Sequence, residues 1–385
     1  MMRRNFPARE VQTIKLYWLL VLLLSLTQWF LASKAHAASE DPGIIKAKKE
    51  AEAKGYIFAA SHDEIVAKAK EERKLRALSS FDPETYRPMI AAFKKKYPFI
   101  DIYAEEITGT DAGHRFLLEL KAGRARDWDA ISLTTEFHND YPPYLKKFDL
   151  LGMSEHGVLT IPKGMIDPNN RNIVALTSSV SIIAYNKSLI SVEKVPDSWE
   201  GFLRPEFKGR KFVADIRPHP YRSMVPLMGL EWVLNYCRKL AAQQPIWVRG
   251  QTRALTSLAA GEYDLYTAVN YHSTLGVMKK DRTGNLQVKL IEPVPVRLSA
   301  TEAILKNSLH PHAALLWLEF QAGPEGQRII DEYEPQKSSV YAPGSAVEKL
   351  IRGKRLSVLD WKDFAESGEM VKKIVEAFGF PKAER

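Results

Sequence analysis

Short apolar, strand-like runs alternate with longer amphipathic stretches along most of this chain. That alternation restricts the fold more than any other feature. Leu75-Arg76-Ala77-Leu78-Ser79-Ser80 reads as a strand. Residues 84–97 read as a helix with Tyr86, Met89, Ile90, Phe93 and Tyr97 on its apolar face, residues 100–107 as a strand and 110–122 as a helix. Asp129-Ala130-Ile131-Ser132-Leu133 reads as a third strand. This order predicts an α/β lobe with a mostly parallel sheet flanked by helices. A second series starts near Asn172: strands at 173–176, 181–185, 211–215 and 264–269, with helices at about 222–243 and 251–260. The run 288–296 is extended, and Pro293 and Pro295 place it at an edge or in a connector. Residues 312–322 form a helix apolar on most faces, and Pro324 opens the next.

The 385 residues suit two domains. No Gly/Ser-rich linker separates the two series, so the lobes are expected to be joined by hinge strands near 178–181 and 292–297. Lobe 1 is placed at 72–177 plus 292–322, and lobe 2 at 178–291 plus 323–385. Residues 38–71 are read as a solvated helical lead-in.

The first 37 residues have the pattern of an export signal. Basic residues come first, an apolar run follows from Leu16 to Leu24, and Ala35-His36-Ala37 is a small-x-small cleavage site. The apolar stretch is shorter and more interrupted than the ~20 residues a spanning helix needs. Cleavage after Ala37 would leave an exported, periplasmic, soluble protein. The formal charge is +9, but the first 37 residues hold five basic side chains and one acidic one, so the other 348 carry +5. That balance, with no basic-aromatic stripe, argues against nucleic acid as a partner. Cys237 is the only cysteine, so no intrachain disulfide forms, and its apolar helical setting reads as a buried structural thiol.

In an open α/β sheet, ligands bind at the carboxyl ends of strands, where helix N-termini present free N–H groups. Strand ends here offer Ser79, Ser80, Thr110, Thr134, Thr135, Glu136, Arg217, Tyr221, Arg222, Tyr271 and His272, with Ser178 and Ser179 at the expected crossover. Singly, each reads as readily as a helix cap or turn residue. Together they are mostly hydroxyl, amide and guanidinium groups, suited to recognition more than to chemistry. There is no G-x-S-x-G, H-E-x-x-H, P-loop or G-x-G-x-x-G motif, so neither an enzyme nor a bound cofactor is expected. His310-Pro311-His312 reads as a helix start rather than a metal pair. Arg249 and Arg253 read as surface arginines, or as an anion clamp at a helix start.

Three stretches carry a family resemblance. They are residues 197–210 (DSWEGFLRPEFKGR), Ala259-Ala260-Gly261-Glu262-Tyr263-Asp264 through Asn270-Tyr271-His272, and His310-Pro311-His312-Ala313-Ala314 through Pro324-Glu325-Gly326-Gln327. In this order the chain resembles the extracellular solute-binding proteins of ABC importers, in the family-1 branch that includes ferric-iron binders. The resemblance implies a two-lobed type II periplasmic-binding-protein fold, hinge closure on a cleft ligand, a monomer, and an ABC permease with its ATPase as partners. A sensory binding protein presenting its ligand to a membrane receptor is the alternative role. Ferric-binding members carry two adjacent tyrosines in the second lobe. The matching pair here is Tyr271-His272, and Glu136 is the first-lobe candidate. These residue types favour a small organic or phosphorylated anion, with ferric iron on Tyr271, His272 and Glu136 as the alternative.

Overall fold

The computed structural model describes residues 41–107 and 109–380; the export signal read at 1–37 lies outside the described residues. Ten strands are present among these residues: β1 Lys74–Ser79, β2 Asp101–Glu106, β3 Ala130–Leu133, β4 Ile173–Asn186, β5 Val213–Asp215, β6 Ile246–Val248, β7 Leu265–Asn270, β8 Leu286–Lys289, β9 Val294–Ile304 and β10 Leu356–Leu359. Their order is β2-β1-β3-β9-β4-β7-β5-β6, with β10 beside β9 and β8 beside β4. β1 is parallel to β2 and β3, and β5 is parallel to β6 and β7, so each half has the parallel centre that the strand–helix alternation predicts.

β4 joins the halves. Residues 173–180 pair antiparallel with β9, and 181–186 pair with β7 and β8. The change of partner falls between Val180 and Ser181. Alternate residues of this fully buried strand enter different cores, as a period of two requires. Val174 and Leu176 face one first-lobe core, and Ile173 and Ala175 the other. Ile183 and Tyr185 face one second-lobe core, and Ile182 and Ala184 the other.

β9 departs from its reading as an edge or connector. It runs inward to Ile304, between β4 on one side and β3 and β10 on the other. Pro295 is tolerated as its second residue. Thr301 and Glu302 are buried toward its far end. The helix expected over 222–243 is three pieces, His219–Arg222, Val225–Met228 and Leu230–Ala242. Pro226 and the left-handed φ of 83° at Gly229 interrupt it.

The lobe boundaries also differ. The helices Pro42–Ala53 and His62–Glu72 are not a solvated lead-in, because Ile44, Ala51, Ile65 and Ala69 are buried in the first-lobe core. His62 Nε2 lies 2.8 Å from the buried Glu319 carboxylate, which also accepts from the Thr160 amide. The Glu72 carboxylate accepts from the His312 and Ala313 amides at the start of the helix Pro311–Ala322. The helix Pro324–Tyr333 belongs to lobe 1, since Ile329 and Ile330 share a core with Phe93 and Trp317. The helix Ala346–Ile351 packs into lobe 2 through Val347 and Ile351, and so does the end of the last helix, Ser367–Phe378, through Ile374 and Phe378. A third connection runs along β4, where Lys337 O accepts from Ser178 N and Ser338 bridges Thr177.

Candidate functional site

Where β4 changes partner, a chamber of about 380 Å³ opens between the strand ends. Ser179 and Ser181 of β4 and Arg297 of β9 form its floor. Arg217 and His219 follow β5, Asn270 ends β7, and Ser273 lies in the helix Tyr271–Met278 that follows it. Gly250, Gln251, Thr252 and Arg253 come from the start of the helix Gln251–Ala259. Gly250 has φ 104°, a conformation that L side chains avoid, and no atom occupies the space a Cβ would take. The helix N-terminus is therefore uncovered, with its free N–H groups open to an acceptor.

A larger cavity of about 1110 Å³ adjoins the chamber and shares Thr252 and Ser273 with it. Ser80, Asp82 and Lys337 line it from lobe 1, and His272 and Lys279 from lobe 2. The two cavities form one cleft with a wall from each lobe.

Positive charge dominates the chamber. Arg217 forks onto the buried Asp215, with Nε to Oδ1 at 3.0 Å and Nη2 to Oδ2 at 2.6 Å, and this pairing raises the Arg217 pKa. Arg297 has no carboxylate within 4 Å among the described residues. Burial lowers its pKa and the nearby Arg217 lowers it further, while Glu136 opposes both. Arg222, set back and buried, donates to the Ser367 hydroxyl, and burial lowers it to about 10. Burial, then Arg297, Arg222 and Arg217, hold His219 well below 6.5, so its imidazole is neutral at pH 7. The buried atoms His219 Nδ1, Asn270 Oδ1 and His272 Nδ1 have no partner among the described residues. Buried polar atoms without protein partners beside the Arg297 guanidinium leave the chamber wall with open hydrogen-bonding capacity.

The family model described as bacterial extracellular solute-binding protein matches residues 141–367, more than half of the chain. The chain belongs to that family. No curated protein sequence matches this solute-binding protein. Solved structures share its fold. Apo ferric ion-binding protein A of Pasteurella haemolytica has a TM-score of 0.61 and 18% identity, over 81% of this chain and all of that one. Iron-bound HitA of Pseudomonas aeruginosa has 0.57 and 18%, over 79% and 99%. AfuA of Actinobacillus pleuropneumoniae with fructose-6-phosphate bound has 0.57 and 14%, over 80% and 99%. The family is one of binding proteins, and the two-lobed type II fold is theirs as well.

The solute-binding protein brings some of its sequence candidates together and separates others. Ser179 and Arg217 line the chamber, and Ser80 and His272 line the larger cavity. Glu136 reaches across from lobe 1, with Oε1 3.7 Å from His219 Nδ1, and Thr135 donates to its other oxygen at 3.4 Å. The remainder have local partners. The Ser79 hydroxyl accepts from Phe81 N, and that of Ser178 from Val340 N. Thr134 Oγ1 faces Gly113, 1.8 Å from where a Cβ there would stand. Thr110 is exposed at the start of its helix and lines neither cavity. Tyr221 is buried in the second-lobe core between Tyr236 and Phe378, because its short helix turns it away from the cleft. Tyr271 lies half-buried against the core of Leu255 and Val269, which raises its phenol pKa. Of the two arginines read as a clamp, Arg253 reaches the chamber and Arg249 does not. His310 and His312 hold carboxylates, Asp129 at 3.0 Å and Glu72 at 2.7 Å. No group of three or more His, Cys, Asp or Glu side chains is placed to hold a metal ion among the described residues. Cys237 is buried, which pushes its thiol up and leaves it unreactive.

Arg297, His219, Ser181 and Lys337 are not among the sequence's binding candidates, although the expected hinge segments include Ser181 and Arg297. Arg297 had a visible signal, a single arginine inside the apolar run Val294-Pro295-Val296-Arg297-Leu298. Lys337 had none, since its position depends on the chain returning along β4.

Burial, with Lys337 and Arg297 nearby, holds His272 down to about 3. An unfolded chain protonates this imidazole near pH 6.5 and the folded chain does not, so its contribution to stability is lost as pH falls below about 6.5. His272→Gln should therefore flatten the fall in unfolding midpoint between about pH 6.5 and 4 relative to the wild type. Parallel curves for the two proteins would contradict this placement.

Proposed function

We propose that this solute-binding protein captures a small organic anion, carboxylated or phosphorylated, and delivers it to the permease of an ABC importer. Arg297 carries the reading: a half-buried guanidinium without a carboxylate partner, on a strand shared by both lobes, at the mouth of an uncovered helix N-terminus. A ligand oxyanion would accept from Arg297, Arg217 and the amides that follow Gly250, while Ser80 and Lys337 would approach from lobe 1. Contacts from both walls exist together only when the lobes close, so ligand shifts the population toward closure. Export with cleavage after Ala37 would place the mature protein in the periplasm. No helix of the described residues is long and apolar enough to cross a membrane.

Ferric iron is the second reading. Its support is Tyr271 at the second-lobe helix start and the iron-binding proteins among the structural relatives. Isothermal titration with dicarboxylates, sugar phosphates and ferric iron, the last with and without citrate, separates the two. The anion reading expects saturable heats from at least one organic anion without metal. Binding of ferric iron alone, with a tyrosinate charge-transfer band, would overturn it. Loss of solute uptake in a deletion strain, rather than loss of a response to the solute, would separate import from sensing.

A further inference from the structure

Arg217 and Arg297 line the chamber and the buried Arg222 is set back from it, yet carboxylates already offset much of their charge. Asp215 is forked by Arg217. Asp363, which accepts from Asp360 N, lies within Coulomb range of Arg222. Glu136 differs from both. It comes from the opposite lobe, no arginine donates to it among the described residues, and its charge acts on Arg222 and Arg297 together. His219, 3.7 Å away and neutral, screens nothing. Arg253 stands exposed at the mouth, where water screens it. Without Glu136, what remains for a ligand is close to the charge of one guanidinium, that of Arg297, and Glu136 offsets part of it.

We propose that Glu136 is a specificity-determining residue. Its carboxylate lines neither cavity but stands 3.7 Å from the chamber residue His219, and from there it restricts the cleft to ligands whose recognised group carries a single negative charge, a carboxylate or a phosphodiester, over a dianionic phosphate monoester. The proposal rests on the anion reading above. A second negative charge on the ligand meets Glu136 in a site that closes around both and excludes water. There the repulsion between like charges is stronger than in solution. A monoanion meets Arg297 and Arg217 and leaves Glu136 its share of the cluster.

The test compares glycerol 3-phosphate, a dianion at pH 8, with glycerophosphoglycerol, a monoanionic diester, by isothermal titration. The wild type is expected to bind the diester about 10-fold more tightly. Glu136→Gln should tighten glycerol 3-phosphate about 10-fold while changing the diester less than about 3-fold, and Glu136→Asp should keep the wild-type ratio. A wild type that prefers the monoester, or a ratio that Glu136→Gln leaves unchanged, overturns the proposal. Arg297→Met separates the two levels. If it abolishes binding of both probes while the Glu136→Gln ratio stays at the wild-type value, only this proposal fails. If both probes bind regardless of Arg297, the anion site at Arg297 fails and the proposal with it; if neither binds the wild type at millimolar concentration, this proposal fails.

Discussion

Arg297→Met is expected to lower anion affinity about 30- to 150-fold, the loss of roughly 2–3 kcal/mol from a charged hydrogen-bonded contact. The same substitution should raise the unfolding midpoint of the ligand-free protein. Arg297 sits half-buried on β9 with no carboxylate within 4 Å among the described residues, and burial together with Arg217 already lowers its pKa. An apolar side chain of similar length removes that unfavourable charge, and replacing buried ionic groups this way is neutral or stabilising by about 1–4 kcal/mol. Opposite signs for binding and stability identify a residue retained for its ligand. Thermal unfolding without ligand and titration with it read the two effects separately. Unchanged affinity would remove Arg297 from the site, and a lowered midpoint would mean that its charge has a structural partner.

Arg217 behaves differently, because it has two tasks. Its fork holds Asp215, which is 1% exposed at the end of β5. Arg217→Met should destabilise the protein by about 2–4 kcal/mol, since it leaves a buried carboxylate without its partner. The lower part of that range allows for the exposed outer edge of the guanidinium. Adding Asp215→Asn should restore most of the lost stability without restoring affinity. A denaturant double-mutant cycle measures the coupling, expected to exceed about 1 kcal/mol. Additive losses would mean that the fork does not hold the second-lobe loop in place.

The halves of the fold were legible because their strands are short, apolar and separated by helices of regular spacing. β1, β2 and β3 read directly from that pattern, as did β7. β9 did not, because a strand buried on both sides needs no alternation, and Thr301 and Glu302 disguised it. The N-terminal helices were misread for a related reason. Their Ala, Lys and Glu content describes the exposed face, while Ile44, Ala51, Ile65 and Ala69 mark the buried one. At the site, strand ends located the correct cleft but not the correct side chains. Ser79 and Ser178 satisfy backbone amides, and Tyr221 turns into the core, because a one-residue change of direction decides between cleft and interior. Lys337 could not be found from local sequence, since only the return of the chain along β4 brings it opposite His272.

An anion held at Arg297 between the two lobes is the central expectation. A crystal structure of the wild-type protein with the tightest-binding anion of the titration panel tests it most directly. The expected result is an oxyanion within hydrogen-bond distance of the Arg297 guanidinium and of the amides that follow Gly250, with lobe 1 side chains closed onto the same ligand. An anion bound outside the chamber would contradict it, as would a ferric ion on Tyr271 with Arg297 free of contact.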